Sequence, residues 1–280
     1  MTSKRGGVGL FEWVSRADST NFVVMPTDYS RSPWVGETLH GGPVVGMVAF
    51  AARHAVGQSD MICVRATTDI LAPVLVAKMT VSSTVFKRGR RTTVIDVSIV
   101  QNNRIVVRAT TQWAVTSRGA ASHTQPKRHA PPFRSLQPDF EVSTIDYPRP
   151  GFNRDAVETR LVHGSSEEPG PAMIWARLDV DLIAGEEVHP FDKVAALSDL
   201  AAAAGWDYGP GGSVFINPDI TLQLNQMPVG DWVGFDATNR LGPSNVGFND
   251  AVVYDRSGPI GHVLQSLVES PATLGTQTAK

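Results

Sequence analysis

The chain has 280 residues, 42% of them hydrophobic and 19% charged, which is enough apolar material for a substantial core and excludes a disordered, collagen-like or coiled-coil chain. Its 25 Lys and Arg against 27 Asp and Glu give a formal net charge of -2, which excludes a protein built to coat nucleic acid. A single cysteine, Cys63, excludes an intrachain disulfide and a multi-cysteine zinc site, and fits a cytosolic protein.

Residues 1–9 carry Lys4 and Arg5 but no following apolar run, so no secretory signal is expected there. The longest apolar run, 43–52, is too short to span a bilayer, and no membrane insertion is expected. A short strand is predicted at 22–25, followed by a turn-rich stretch containing Pro26, Asp28, Ser30, Ser32, Pro33 and Gly36. Leu39-His40-Gly41-Gly42-Pro43 then leads into an apolar run at 44–56. That run is too long for a strand and lacks alternation. Pro43 suits a first helical turn and Gly57 a C-terminal cap, so the run reads as a buried helix of about four turns. Strands are predicted at 61–71, 77–88, 92–101 and 105–115, with turns at Lys87-Arg88-Gly89-Arg90 and Gln101-Asn102-Asn103-Arg104. Residues 94–100 alternate cleanly. From 117 to 150 proline is too dense for a helix or a central strand, and the segment reads as a mobile connector. A strand at 173–182, a helix at 191–206 behind His189-Pro190, and strands at 214–224, 232–241, 247–255 and 261–269 follow. Residues 271–280 read as a frayed tail.

The second half thus repeats the order of the first. Met79 and Gln112 lie 33 positions apart, as do Trp232 and Gln265, and Asn102-Asn103 and Ser257-Gly258 both fall in the last turn. Each helix is apolar nearly all round, as a helix enclosed by a sheet should be. The predicted fold class is α+β: a double hotdog, two antiparallel sheets each wrapped around a central apolar helix. The predicted division is an N-terminal hotdog at 1–116, a proline-rich connector at 117–154 and a C-terminal hotdog at 155–280.

Several segments resemble the acyl-CoA thioesterase II family and its actinobacterial thioesterase-like relatives. They are Leu39-His40-Gly41-Gly42-Pro43-Val44-Val45-Gly46; Lys87-Arg88-Gly89-Arg90-Arg91-Thr92 followed by Gln101; Ile216-Asn217-Pro218-Asp219-Ile220-Thr221; Pro228-Val229-Gly230-Asp231-Trp232; and Tyr254-Asp255 with Gly258-Pro259-Ile260-Gly261. The ordered set covers most of the chain outside the connector. The resemblance implies hydrolysis of fatty acyl-CoA to acid and CoA by a water polarised by three residues: an Asp on the second helix, a Thr or Ser on the next strand and a Gln on the last. Carried over, the Asp is Asp199 and the Gln is Gln265. The Thr position falls on Asn217, a departure; a shifted gap puts Asp219 or Thr221 there.

Read by themselves, these residues have alternatives. Asp199 is an acid on a largely apolar, alanine-rich helix, so it either lies exposed in the helix's first half or is buried with a task; burial would raise its pKa and make it a better base. Gln265 either faces outward or offers its amide to a water. Asn217, before Pro218, either satisfies a turn or joins the site. His40-Gly41-Gly42 either permits a tight helix start or presents backbone N–H groups to a thioester oxygen or a phosphate. The first helix carries no carboxylate, so a base is missing from that half. Arg88 and Arg90 belong to the densest positive cluster; CoA phosphates suit them, although a solvated hairpin tip is the plainer reading.

Two other functions compete. A hotdog enoyl-CoA hydratase would need a His five residues after its Asp, but Ala204 stands five after Asp199. A binder of acyl-CoA or lipid that lost its chemistry is compatible with Asn217. A Ser-His-Asp hydrolase lacks its Gly-x-Ser-x-Gly elbow. The expected mechanism is direct hydrolysis, with Asp199 as base toward a water held by Gln265 and Asn217 and with no metal or redox cofactor. The expected partner is acyl-CoA, and homo-oligomers are allowed through the sheet edges.

Overall fold

The computed structural model describes residues 7–33, 36–57, 60–116, 151–165, 170–205 and 214–270. The first half comprises β1 (Gly9–Arg16), β2 (Asn21–Pro26), α1 (Gly41–Val56), β3 (Met61–Ile70), β4 (Met79–Arg88), β5 (Thr92–Gln101) and β6 (Arg104–Val115). The second comprises β7 (Val157–His163), β8 (Ala172–Leu178), β9 (Asp181–Ile183), α2 (Pro190–Ser198), α3 (Leu200–Ala204), β10 (Val214–Ile216), β11 (Asp219–Leu224), β12 (Trp232–Leu241), β13 (Val246–Asp255) and β14 (Gly258–Ser270). One continuous sheet runs β7-β8-β12-β13-β14-β11-β3-β6-β5-β4-β2-β1-β9, with β10 on β14. All pairings are antiparallel except β1 with β9.

The two predicted sheets are therefore joined edge to edge through β3 and β11, and the two helical segments pack on each other inside. Thirteen of the sixteen α1 residues are buried, as expected of a helix that touches β3 to β6 on one side and α2 on the other. Gly57 ends α1 in the left-handed region, where φ is 61°. None of the described helices is long and apolar enough to cross a membrane.

The repeat extends to the pairing over most of the strands. Ser82↔Ser98 and Ser98↔Arg108 become Asp236↔Val252 and Val252↔His262 at an offset of 154 residues. The slip in the last hairpin recurs at the same place, between Ile99 and Val100 and between Val253 and Tyr254. Thr67 and Thr221 are equivalent by this offset and are also register partners, their hydroxyls 3.2 Å apart. A local two-fold axis therefore passes between them.

The sequence register is off by one. Asp255 pairs with Gly258, so the turn is Arg256-Ser257, held by the Asp255 carboxylate accepting from the Ser257 N–H at 2.8 Å. The counterpart of Gln265 is consequently Thr111, buried like it, and not Gln112 on the opposite face. Other expectations also shift. The strand 173–182 divides into β8 and β9, and 214–224 into β10 and β11. The helix from 191 breaks at Asp199, and its predicted last residue, 206, lies outside the described residues, as do the connector 117–150 and the tail 271–280. Residues 151–154, assigned to the connector, enter the packed helical turn Phe152–Ala156, in which Phe152 is fully buried. Strands β1 and β7 were not anticipated.

Candidate active site

Asp199 sits at the break between α2 and α3. The break has a local cause. The Ser198 hydroxyl donates back to the Ala195 carbonyl at 2.7 Å, which bends a helix, and the Ser198 carbonyl accepts from Gln265 Nε2 at 3.0 Å. A side chain thus takes the carbonyl that would continue the helix, and the carboxylate next to it projects from the bend. Asp199 is 7% exposed and Gln265 1%, so neither is the outward-facing residue that the sequence alone allows.

Asn217 reaches the same point from a bulge. β10 pairs with β14 one residue out of step with β11, and Asn217-Pro218 is the slip. Proline is tolerated there because a bulge interrupts the ladder, and the bulge turns the side chain of Asn217 inward. Its Nδ2 donates both to Asp199 Oδ1 and to Gln265 Oε1, the latter at 2.7 Å. The three residues named from the resemblance are thus in one hydrogen-bonded chain. Asp219 and Thr221 are not part of it: the Asp219 carboxylate accepts from Ser266 N at 3.2 Å, and Thr221 meets Thr67 at the local axis.

The first half contributes the other side. His40 caps α1, and its Nδ1 lies 2.8 Å from Asp199 Oδ2. Gly42 N lies 3.1 Å from that nitrogen and 3.0 Å from Asp199 Oδ2. An imidazole nitrogen this close to a carboxylate oxygen carries the hydrogen, so Nδ1–H and the Gly42 N–H both donate to Oδ2. The His40 ring packs on Phe152, with centroids 4.8 Å apart. The glycines leave room for this. A Cβ on Gly41 would come 2.6 Å from Asp199 Oδ2, and one on Gly42 would come 2.3 Å from the Ala196 carbonyl oxygen of α2.

Burial drives the Asp199 carboxyl upward, but the His40 imidazole, the Asn217 amide and the Gly42 N–H outweigh it and hold the carboxyl below its ordinary value. This corrects the expectation that burial would raise it: a carboxylate with three donors is favoured in its charged form.

Arg88 and Arg90 are not brought to this cluster. They are exposed at the β4–β5 tip, where Arg91 O accepts from Val115 N beside Met61, the first residue of β3. Asn217-Pro218 lies at the last, where Ile70 N donates to Pro218 O. Ten strand residues at ~3.3 Å each separate the two by about 30 Å. Sequence reasoning placed His40 at the substrate and missed its contact with Asp199. The signal available was a second histidine cap: His189 starts α2 with the same backbone angles and accepts from Phe191 N at 3.2 Å. Among the described residues no cluster of three or more His, Cys, Asp and Glu could hold a metal ion.

Comparison with known proteins shows the family and the fold. A family profile for the acyl-CoA thioesterase N-terminal domain matches residues 30–114, and one for the acyl-CoA thioesterase C-terminal domain matches residues 120–268. Uncharacterised proteins of Mycobacterium tuberculosis and Mycobacterium bovis are 27% identical over 167 residues, or 51% of this chain, and the match spans 57% of the length of these curated relatives. Among solved structures, the tesB protein of Mycobacterium avium subsp. paratuberculosis has a TM-score of 0.66 at 17% identity, covering 92% of this chain and 96% of that one. An acyl-CoA thioesterase II of Mycobacterium marinum has 0.65 at 11%, covering 94% and 96%. A hot dog fold protein of unknown function from Alicyclobacillus acidocaldarius has 0.69 at 14%, covering 92% and 96%. At such identities the likeness is one of fold, the double hotdog read from the sequence. Since the N- and C-terminal domain profiles both match, in order and over most of its length, the chain belongs to the acyl-CoA thioesterase family.

Proposed function

We propose that the protein hydrolyses acyl-CoA thioesters to a free carboxylic acid and CoA, and that Asp199, Gln265 and Asn217 carry the reaction with His40 and Gly41. The observation that carries this reading is the Asn217 amide, which donates to Asp199 Oδ1 and to Gln265 Oε1 and so holds two acceptors side by side. Each of these oxygens has a second lone pair. A water donating one hydrogen to each has its own lone pair directed away from them, toward a thioester carbon. Asn217 acts here as the clamp that spaces the acceptors, and no longer as a direct holder of the water.

In the reaction, the water oxygen bonds to the thioester carbon while its proton passes to Asp199 Oδ1. The carbonyl oxygen becomes an oxyanion beside the start of α1. Gly42 N–H is committed to Asp199 and Pro43 has none, so the Gly41 N–H, at the positive end of the helix, is the donor for that oxyanion. When the carbon–sulfur bond breaks, the CoA sulfur takes the proton back from Asp199. His40 Nδ1–H keeps the carboxylate ionised and oriented between turnovers. A place in cytoplasmic lipid metabolism and a homo-oligomer pairing through β7 and β9, the two ends of the strand order among the described residues, complete the reading.

The test is a panel of acyl-CoA chain lengths with CoA release measured for the wild type and for Asp199→Asn. Release by the wild type alone is the expected result. Release by neither protein, with acyl-CoA still bound, would return the binder reading; equal release by both would move the site elsewhere.

A further inference from the structure

The β4–β5 hairpin carries a bulge close to its tip. Thr84 pairs with Asp96 and Val85 with Ile95, but the next pair is Lys87 with Val94, so Phe86 is an extra, bulged residue. Bulges re-aim side chains, and this one turns Phe86 into solvent. At 74% exposure it is the most exposed large hydrophobic side chain among the described residues. Lys87, Arg88, Arg90 and Arg91 follow directly, all exposed and none with a carboxylate partner among the described residues. Arg16, Asp18 and Asp60 share this end of the sheet, since Thr20 O accepts from Ser83 N and Asp60 O from Thr116 N. Asp18 is engaged by its own turn, accepting from Thr20 N and Asn21 N. Asp96, opposite Thr84, accepts from the Thr110 hydroxyl at 2.9 Å, so five cations face three carboxylates there, on a chain whose net charge is -2.

We propose that this tip docks the protein on an anionic lipid surface, with Phe86 in the headgroup layer and the four cations against acidic lipids. A pocket for a soluble phosphate would have converging, partly buried guanidinium groups. Here the four cations are exposed and follow an exposed ring in the chain, which suits a plane of negative charge above an apolar layer. The tip lies about 30 Å from Asn217, so the inference does not depend on the catalytic reading.

The experiment is co-sedimentation with vesicles of phosphatidylcholine alone and of phosphatidylcholine mixed with phosphatidylglycerol, at low and high salt. The wild type is expected to bind only the anionic vesicles, and less as salt rises. The double variant Arg88→Gln/Arg90→Gln is expected to lose about thirtyfold in partitioning, two cations' worth, and Phe86→Ser about tenfold. Thermal unfolding checks that both variants are folded, as exposed side chains should allow. The proposal is overturned if the wild type binds no anionic vesicle at low salt, if it binds neutral vesicles equally, or if the folded variants bind like the wild type. Displacement by free CoA would assign the tip to a soluble nucleotide instead.

Discussion

Phe50 and Asp199 occupy equivalent places: each stands ten residues after the histidine that caps its helix, His40 and His189 respectively. The strands repeat the difference. Asn217 and Gln265 correspond, at the offset of 154, to Cys63 and Thr111. One side of the local axis holds a carboxylate and two amides. The other holds a phenyl ring packed on Trp13 and Phe22, and a buried thiol that burial pushes well above its ordinary value. The fold makes two sites by symmetry, and the side chains leave chemistry in one.

Asp199→Asn removes the proton acceptor while keeping the shape. Turnover should fall about a hundredfold or more, with acyl-CoA binding little changed. Single-turnover CoA release set against equilibrium binding separates the two; equal losses in both would make Asp199 a binding residue.

His40→Ala should cost far more than loss of a helix cap alone, because His40 is the largest influence holding the Asp199 carboxyl down. The wild type needs Asp199 ionised, so its activity should persist on the acid side to below the ordinary value of 3.8. In His40→Ala the acid limb should move to higher pH. A pH–rate profile of both proteins reads this directly, and an unmoved limb would detach His40 from the carboxylate.

Adjacent glycines should fail differently. Gly41→Ala puts a methyl 2.6 Å from Asp199 Oδ2, a flexible side chain, so turnover should drop by roughly a hundredfold with modest loss of stability. Gly42→Ala meets the Ala196 carbonyl at 2.3 Å, where backbone must give, so the cost should appear as about 1–3 kcal/mol of stability. Urea unfolding beside kinetics distinguishes them.

Asn217→Ala removes the clamp between Asp199 and Gln265, and kcat should fall at least tenfold. Asn217→Thr, which restores the hydroxyl implied by the family resemblance, should recover most of that loss. If Ala and Thr are equally impaired, the two-fold donation by the amide is what the site requires.

Asp192 gives a stability test away from the site. Burial pushes its carboxyl up to about 6 despite the Arg53 guanidinium, which donates to it at 2.6 Å. A raised carboxyl stabilises the fold fully below its unfolded value near 3.8, and that contribution is lost as pH rises through about 6. The stability of the wild type relative to Asp192→Asn should therefore decline between pH 4 and pH 7, by an amount on the order of 3 kcal/mol. A difference independent of pH would mean that Arg53 holds the carboxyl at its ordinary value.

The apolar run from Val44 to Val56, the alanine-rich run of the second helix and the alternation in β5 are local patterns, and each reports burial. They were sufficient to read the two helices, most strands and the doubling, whereas Asp199, Gln265 and Asn217 were named from the family resemblance. Strands β1 and β7 escaped because β1 is buried only at its start and β7 lacks clean alternation. What periodicity does not carry is which buried groups meet. The contact of His40 with Asp199 needs α1 and α2 to cross where Gly42 and Gly46 let them approach, and Asn217 reaches both partners through a one-residue slip in pairing. The direction of the Asp199 shift follows from those meetings. From sequence, burial is visible and pushes the carboxyl up; the three donors that push it down come from the other helix and the bulge, and only tertiary packing brings their hydrogens within reach of it.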